Sequence, residues 1–275
     1  MKRRSIWLVV LPFWALCAHA GMITLGTAGS FAVLAGSTVT NTGATVVNGD
    51  LGVWPGSSIT GFPPGIVNGT EYDGGAVAKT AQNDVTTAYG ALAGLSVDQT
   101  LTGEDLGGLT LLPGVYSFAS SAQLTGQLTL NAEGLSNQIF VFQIGSTLTT
   151  ASAASVLLIN PGTGDNVFWQ IGSSATLGTT TGFYGSILAD QSITLTTGAA
   201  ITCGSALAEN GAVTMDTNTV STGGCETATG GGSGGSDVPE PGTIPLLAVG
   251  LLGLILYGRQ SRKRWRKAAG APPKC

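Results

Sequence analysis

Along this chain the spacing of apolar positions changes period more than once. From Phe31 to Pro64, short β-branched runs are broken by Gly, Asn and Pro (FAVLAGSTVTNTGATVVNGDLGVWPGSSITGFPP), the pattern of brief strands joined by tight corners. Over about residues 74–95 the period lengthens. Val77, Ala81, Val85, Tyr89 and Leu92 recur at spacings of four, four, four and three, which predicts one amphipathic helix with a narrow apolar stripe. From Leu109 to about Val220 strict alternation returns, with inward Leu or Ile separated by outward Thr or Ser. Echoes run through this stretch: Phe142-Gln143-Ile144-Gly145-Ser146 returns 27 residues later as Trp169-Gln170-Ile171-Gly172-Ser173, and the segments after them align on Leu148, Leu177 and Leu195 at offsets of 29 and 18. Irregular repeats with Gly-containing corners predict a mainly β chain wound as a parallel β-solenoid with three faces. A β-sandwich also presents evenly spaced strands, but the scarcity of Asn-Gly hairpin turns favours the solenoid.

The two ends carry different signals. Lys2, Arg3 and Arg4 precede an apolar run from Ile6 to Cys17, and Ala18-His19-Ala20 supplies small residues for a cut, the layout of a secretory signal peptide over residues 1–20. A membrane anchor is the other reading, although the run is shorter than the roughly 20 residues that span a bilayer. At the far end a Gly/Ser linker, 226–237, leads to Val238-Pro239-Glu240-Pro241, a Gly-dotted apolar stretch at about 244–257, and a basic cluster from Arg259 to Lys267. A spacer, a short membrane-dwelling helix and a positive stop leave what precedes them outside the cytoplasm. In order and spacing, residues 238–275 resemble the PEP-CTERM sorting tail of Gram-negative bacteria. The resemblance implies processing by an exosortase near the Pro-Glu-Pro, after signal peptidase has acted at the front. It also implies transient membrane anchoring, then release to the cell surface or an exopolysaccharide matrix.

Between these addresses the charge balance shifts. Residues 21–237 keep one cation, Lys79, against fourteen carboxylates, a net charge of −13 where the full chain stands at −4. With no Arg and one Lys there is nothing to neutralise a phosphate backbone, which excludes nucleic acid as a partner, and no clamp for phosphoryl transfer. The only His, His19, leaves with the signal, so imidazole triads and His-ligated zinc are excluded. The carboxylates are scattered without metal or catalytic spacing. No cofactor, metal or catalytic residue is therefore expected, a glycosidase built from two acids that the fold brings together being the one enzymatic route left open. With Cys17 and Cys275 in the removable ends, Cys203 and Cys225 remain. In an oxidising compartment they read as a disulfide contributing about 3 kcal/mol, with two free thiols as the alternative.

The outward positions carry the functional signal. If Leu148, Leu177 and Leu195 point inward, then Thr147, Thr149, Thr176, Thr194 and Thr196 point outward, with Thr150-Ala151-Ser152, Thr179-Thr180-Thr181 and Thr197 just beyond. Coils about 4.8 Å apart, and i, i+2 side chains about 6.6 Å apart, would hold these hydroxyls and methyls on a grid. The chemistry such an uncharged grid offers is adsorption to ordered water. Threonine on a solvent face also serves plain strand propensity.

The segments TNTGATVVNGDLGVWPGSSITGFPPG, QIGSTLTTASAASVLLIN, NVFWQIGSSATLGTTTGFYGSILA and SITLTTGAAITCGSALAENGAVTMDTNTV resemble the widespread microbial ice-binding proteins, over about Leu25 to Val220. The resemblance implies a discontinuous right-handed parallel β-solenoid flanked by one long α-helix, here a domain over 21–225, with ice as its partner. The family pattern of Thr, then Ala or Gly, then any residue, then Thr or Asn is met in full by Thr42-Gly43-Ala44-Thr45 and in part by the segments starting at Thr150, Thr179 and Thr197. Thr42 and Thr45 thus join Thr147, Thr149, Thr150, Ser152, Thr176, Thr179, Thr180, Thr194, Thr196 and Thr197 as expected ice contacts. The competing reading is a structural or adhesive matrix protein, whose sugar sites would use exposed aromatics such as Trp54, Tyr72, Tyr116 or Tyr184.

Overall fold

A strand of three to six residues that buries alternate side chains is too short to hold itself, and becomes stable only when neighbours stack on it in parallel and share one apolar interior. The computed structural model, which describes residues 23–223, has this arrangement in three parallel sheets. The first contains nine strands, in the order Glu71–Tyr72, Asp50–Val53, Phe31–Ala35, Ala206–Ala208, Ser186–Ala189, Asn166–Ile171, Ile139–Ile144, Gly114–Phe118 and Gln99–Thr100. The second contains seven: Ala122–Leu124, Leu148–Thr150, Ala175–Leu177, Ile193–Leu195, Val213–Asp216, Thr38–Thr42 and Ser58–Thr60. The third, of eight, runs from Ile66–Val67 to Thr110–Leu111. The winding is discontinuous. Phe31–Ala35 pairs with Asp50–Val53 on one side and with Ala206–Ala208, from the last coil, on the other. After the helix the chain resumes at the opposite end, at Gln99–Thr100, and winds back to meet its own beginning.

The echo of 27 residues is the stacking of consecutive coils, and it persists on all three faces: Phe142 pairs with Trp169, Leu148 with Ala175 and Ser155 with Gly182. The expected alignment of Leu148 with Leu177 is therefore two residues off. The small inward residue Ala175 is Leu148's neighbour, while Leu177 pairs with Leu195 as expected. A slip of two leaves every side chain on its own face, whereas a slip of one would have inverted them. Inside, aromatic rings from successive coils stack: Tyr116 on Phe142 at 5.5 Å between centroids, Phe142 on Trp169 at 3.9 Å, and Trp169 against Phe183 at 4.8 Å. The Trp169 indole N–H donates to the Tyr184 carbonyl at 3.0 Å, so burial leaves no donor unpaired.

The helix, Gly75–Ala93, covers the outer side of the first sheet, whose central strands are consequently buried on both faces, all five residues of Phe31–Ala35 among them. Its buried stripe is Ala78, Ala81, Val85, Ala88 and Leu92. The expected stripe is thus rotated by about a residue, with Val77 42% exposed and Tyr89 only partly covered. Alanines form the contact because they let the helix axis approach the sheet closely. Polar anchors fix its position. Gln143 Nε2 donates to the carbonyls of Leu92 and Leu95 at the helix end, and Asp84 accepts the Thr27 N–H at 2.7 Å. Gln82 is buried and donates to the carbonyls of Ala208 and Glu209.

Every described residue lies in one compact unit. The signal segment 1–20, the linker, the tail with Val238-Pro239-Glu240-Pro241, its membrane-dwelling stretch at 244–257, and Cys225 fall outside the described residues. Among the described residues no helix is long and apolar enough to cross a membrane.

The seat of Gln82 contains an imbalance. Gln82 Oε1 and Glu209 Oε1 are both buried acceptors without a partner, and burial pushes the Glu209 carboxyl above its ordinary value, with Asp190 adding to the rise and Thr86 opposing it. An acid raised on folding contributes stability at pH below its unfolded value and loses that contribution as pH climbs through the folded value. We expect Glu209→Gln, which brings its own N–H donors, to raise the melting temperature at neutral pH and to flatten its decline as pH rises above the ordinary carboxyl range, as measured by thermal unfolding across a pH series.

Candidate functional site

Three sheets give three outer faces, and they differ. The helix occupies the first. The third presents a mixture, with Ile66, Val46, Thr219, Ala200, Gly182, Ser155 and Gln127 in successive coils at one level. The second is open and uniform. Strand alternation around the inward residues Ile59, Val39, Val213, Ile193, Ala175 and Leu148 turns the following residue outward in each coil. Those residues are Thr60, Thr40, Thr214, Thr194, Thr176 and Thr149, paired directly from strand to strand, and Gln123 ends the column. Six threonines in consecutive coils form a row about 24 Å long at the inter-strand spacing.

Five of the six hydroxyls of this column are uncommitted. Among the described residues, none of the hydroxyls of Thr40, Thr149, Thr176, Thr194 and Thr214 bonds to another protein group; Thr60 reaches the Val39 carbonyl at 3.5 Å. The flanking rows are partly engaged. Thr147 donates to Ser121 at 2.9 Å, and Thr196 donates to the Leu177 carbonyl at 2.8 Å. Each β-branched side chain is held in a narrow χ1 range by its strand, so the column offers methyls and hydroxyls in fixed alternation.

The sequence-predicted residues separate into three groups. Thr42, Thr147, Thr149, Thr176, Thr194 and Thr196 lie on the outer side of this sheet or at its rim. Ser152, Thr179, Thr180 and Thr197 are exposed in the corners beyond it; Thr180 takes a positive φ of 56°, and Thr179 shares a 3.4 Å hydrogen bond with Thr196. Thr45 and Thr150, expected at the surface, are buried. Thr150 follows outward Thr149 and must therefore face in, where it shares a hydrogen bond with Thr181 at 2.8 Å and accepts the Gly178 N–H. Thr45 turns into the corner, donating to Asn41 and accepting the Asn218 N–H at 3.0 Å.

Thr38, Thr40, Ser58, Thr60 and Thr214 were missed. Alternation about Val39, Ile59 and Val213 was a usable signal, and Thr214 stacks on Thr194 of the preceding coil, but the membership of Thr38, Thr40, Ser58 and Thr60 depends on the insertion of the first coil beside the last, which local sequence does not reveal. Of the aromatics considered for sugar binding, Tyr116 and Tyr184 are buried, Tyr72 packs on Phe31 at 5.4 Å, and Trp54 carries Lys79 over its ring at 5.6 Å.

Comparison with known proteins agrees with this architecture. Residues 33–221 match the ice-binding-like family, and residues 237–263 match the PEP-CTERM protein-sorting motif, which marks proteins for secretion or the cell surface. A relative from Nostoc sp. (strain HG1), named Ice-binding protein, is 59% identical over 269 residues, covering 96% of this chain and 98% of its own. The crystal structure of an ice binding protein from an Antarctic biological consortium superposes with a TM-score of 0.69 at 51% identity, covering 72% of this chain and 90% of that one. That of the ice-binding protein from the Antarctic ascomycete Antarctomyces psychrotrophicus gives 0.67 at 41% identity, covering 72% and 97%. A three-sheeted discontinuous solenoid, its flanking helix and the match along nearly all of it lead to one assignment: the chain belongs to the ice-binding-like family.

Proposed function

We propose that the protein is exported and adsorbs to ice through the open face of the second sheet, inhibiting ice growth or recrystallisation. The observation that carries this reading is the unbroken column from Thr60 to Thr149, in which the hydroxyls of Thr40, Thr214, Thr194, Thr176 and Thr149 are uncommitted to the protein. A rigid row repeating at about 4.8 Å orders water at spacings comparable to those of a crystal before any ice is met, and so lowers the entropy cost of attachment. Attached molecules then pin the crystal front, which advances only as curved bulges between them. Adsorption makes and breaks no covalent bond, so the reading calls for neither cofactor nor catalytic group.

Delivery follows from the two ends: signal peptidase removes 1–20, the apolar stretch at 244–257 holds the chain at the membrane, and an exosortase acts near Pro239-Glu240-Pro241, releasing the solenoid to the surface or the exopolysaccharide matrix. Cys203 pairs with Cys225, the other cysteine of residues 21–237, and ties the last coil to the start of the linker.

Thr194→Tyr sets a bulky ring in the middle of the column, and should abolish most of the thermal hysteresis. Thr202→Tyr, on the exposed outer side of the third sheet, should leave it unchanged. Both surface changes should alter stability by no more than about 0.5 kcal/mol, so equal melting curves would separate loss of adsorption from loss of fold. Equal hysteresis in the two variants would move the contact to another face. For the bridge, intact mass should rise by two hydrogens on reduction, with two alkylatable thiols appearing only then; two thiols alkylated without reductant would remove it.

A further inference from the structure

The outward rows of the second sheet differ in charge. Beside the central column runs a shorter row formed by Thr42, Asp216 and Thr196: Thr42 pairs directly with Asp216, and the pairing of Leu195 with Met215 sets Thr196 on the other side. Asp216 is the only carboxylate among the outward strand residues of this sheet. It has no cation for company, because Lys79, the one described cation, lies over Trp54. Its two oxygens each accept one hydroxyl, from Thr197 and, at 3.1 Å, from Thr217. A carboxylate offers about four acceptor sites, so the remainder must be filled by water.

We infer that Asp216 sets the lateral edge of the ice contact, keeping the row of Thr42 and Thr196 hydrated and confining adsorption to the central column and the positions on its far side. This rests on the ice-adsorption reading. A crystal of neutral water provides no counter-ion and cannot reorient around a fixed charge, and stripping water from a carboxylate that only two hydroxyls support is costly. Liquid is therefore retained around Asp216, and the two threonines that flank it are held off the crystal although their geometry would continue the grid.

The backbone here is fixed independently of the carboxylate. The Asp216 N–H donates to Asn218 Oδ1, and the Asp216 carbonyl accepts from the Gly198 N–H at 3.1 Å. Side-chain replacement should therefore leave the coil in place. Asp216→Asn keeps the shape and removes the charge, and Asp216→Thr completes a row of three threonines; expressed as the full chain, both should melt with the wild type. At equal molar concentration each should show thermal hysteresis raised about two-fold or more, once the desolvation of a charge no longer opposes contact. Hysteresis at or below the wild-type level in both folded variants overturns the inference while leaving ice adsorption standing. A folded wild-type chain without hysteresis or recrystallisation inhibition overturns the adsorption reading itself.

Discussion

The structure depends on one constraint, the parallel backbone ladder. Once each coil must hydrogen-bond to the one beneath it, positions are copied from coil to coil at about 4.8 Å, and whatever a coil presents at one level is presented again by its neighbour. The interior uses this to stack Tyr116, Phe142 and Trp169; the open face uses it to stack threonines. The corners must be equally repeatable, and some admit no side chain. A Cβ on Gly178 would lie 2.6 Å from the Thr150 carbonyl oxygen in the coil beside it, so the corner that brings Thr176 and Thr149 into register needs glycine.

A ladder formed from consecutive coils would assemble locally, but the column crosses a place where its neighbours are remote in sequence. Thr40 and Thr214 pair across the junction between the first coil and the last. Buried polar groups hold that junction. Asn41 Nδ2 reaches the Gly61 carbonyl at 2.8 Å in the next coil out, Thr45 links Asn41 to the Asn218 N–H, and Asn218 Nδ2 reaches the carbonyls of Thr196 and Ala199 in the coil beyond. Four coils are thereby joined through three side chains. Leaving any of these groups unpaired would cost about 1–3 kcal/mol, so the network strongly favours one register over its alternatives. This gives Thr45 a role unlike the one its motif suggests: it holds the rows in line from within.

Much of this was legible in the sequence because it depends on short-range periodicity. Alternation located the strands and their inward faces, the 27-residue echo marked stacked coils, and the four-residue spacing found the helix. What it left out has a common cause. Ala175 was passed over as Leu148's neighbour, and Ala78 and Ala88 were passed over on the helix, because alanine carries little hydrophobic signal although close packing selects it. The part of the column formed by Thr60 and Thr40 was out of reach for a different reason: its place beside Thr214 is set by where the chain returns after the helix and six further strand levels, a tertiary fact with no local trace. Thr150 and Thr45 show the limit of a motif, since the same residue type serves as surface lattice at one step of a strand and as internal hydrogen-bonding group at the next.

Charge distribution then completes the physical argument. Residues 21–237 carry −13, enough for the solenoid to repel its own copies in solution and stay dispersed, yet the outward strand residues of the second sheet hold a single carboxylate. On the ice-adsorption reading the solenoid faces opposed demands: repulsion between molecules needs charge, and dry contact with a crystal forbids it. Placing the acids on turns, on the helix and on the outer edges while reserving one face for threonine meets both. Glu104 and Asp105 lie at the end of that face, where Asp105 bridges to Gln123, and hydrogen bonds from Thr125 and Gly107 outweigh the effect of burial and hold its carboxyl below the ordinary range. The charge that terminates the solenoid is thus built into the last turn of backbone, beyond the column, where it caps an open sheet edge against further strand pairing without intruding on the threonines.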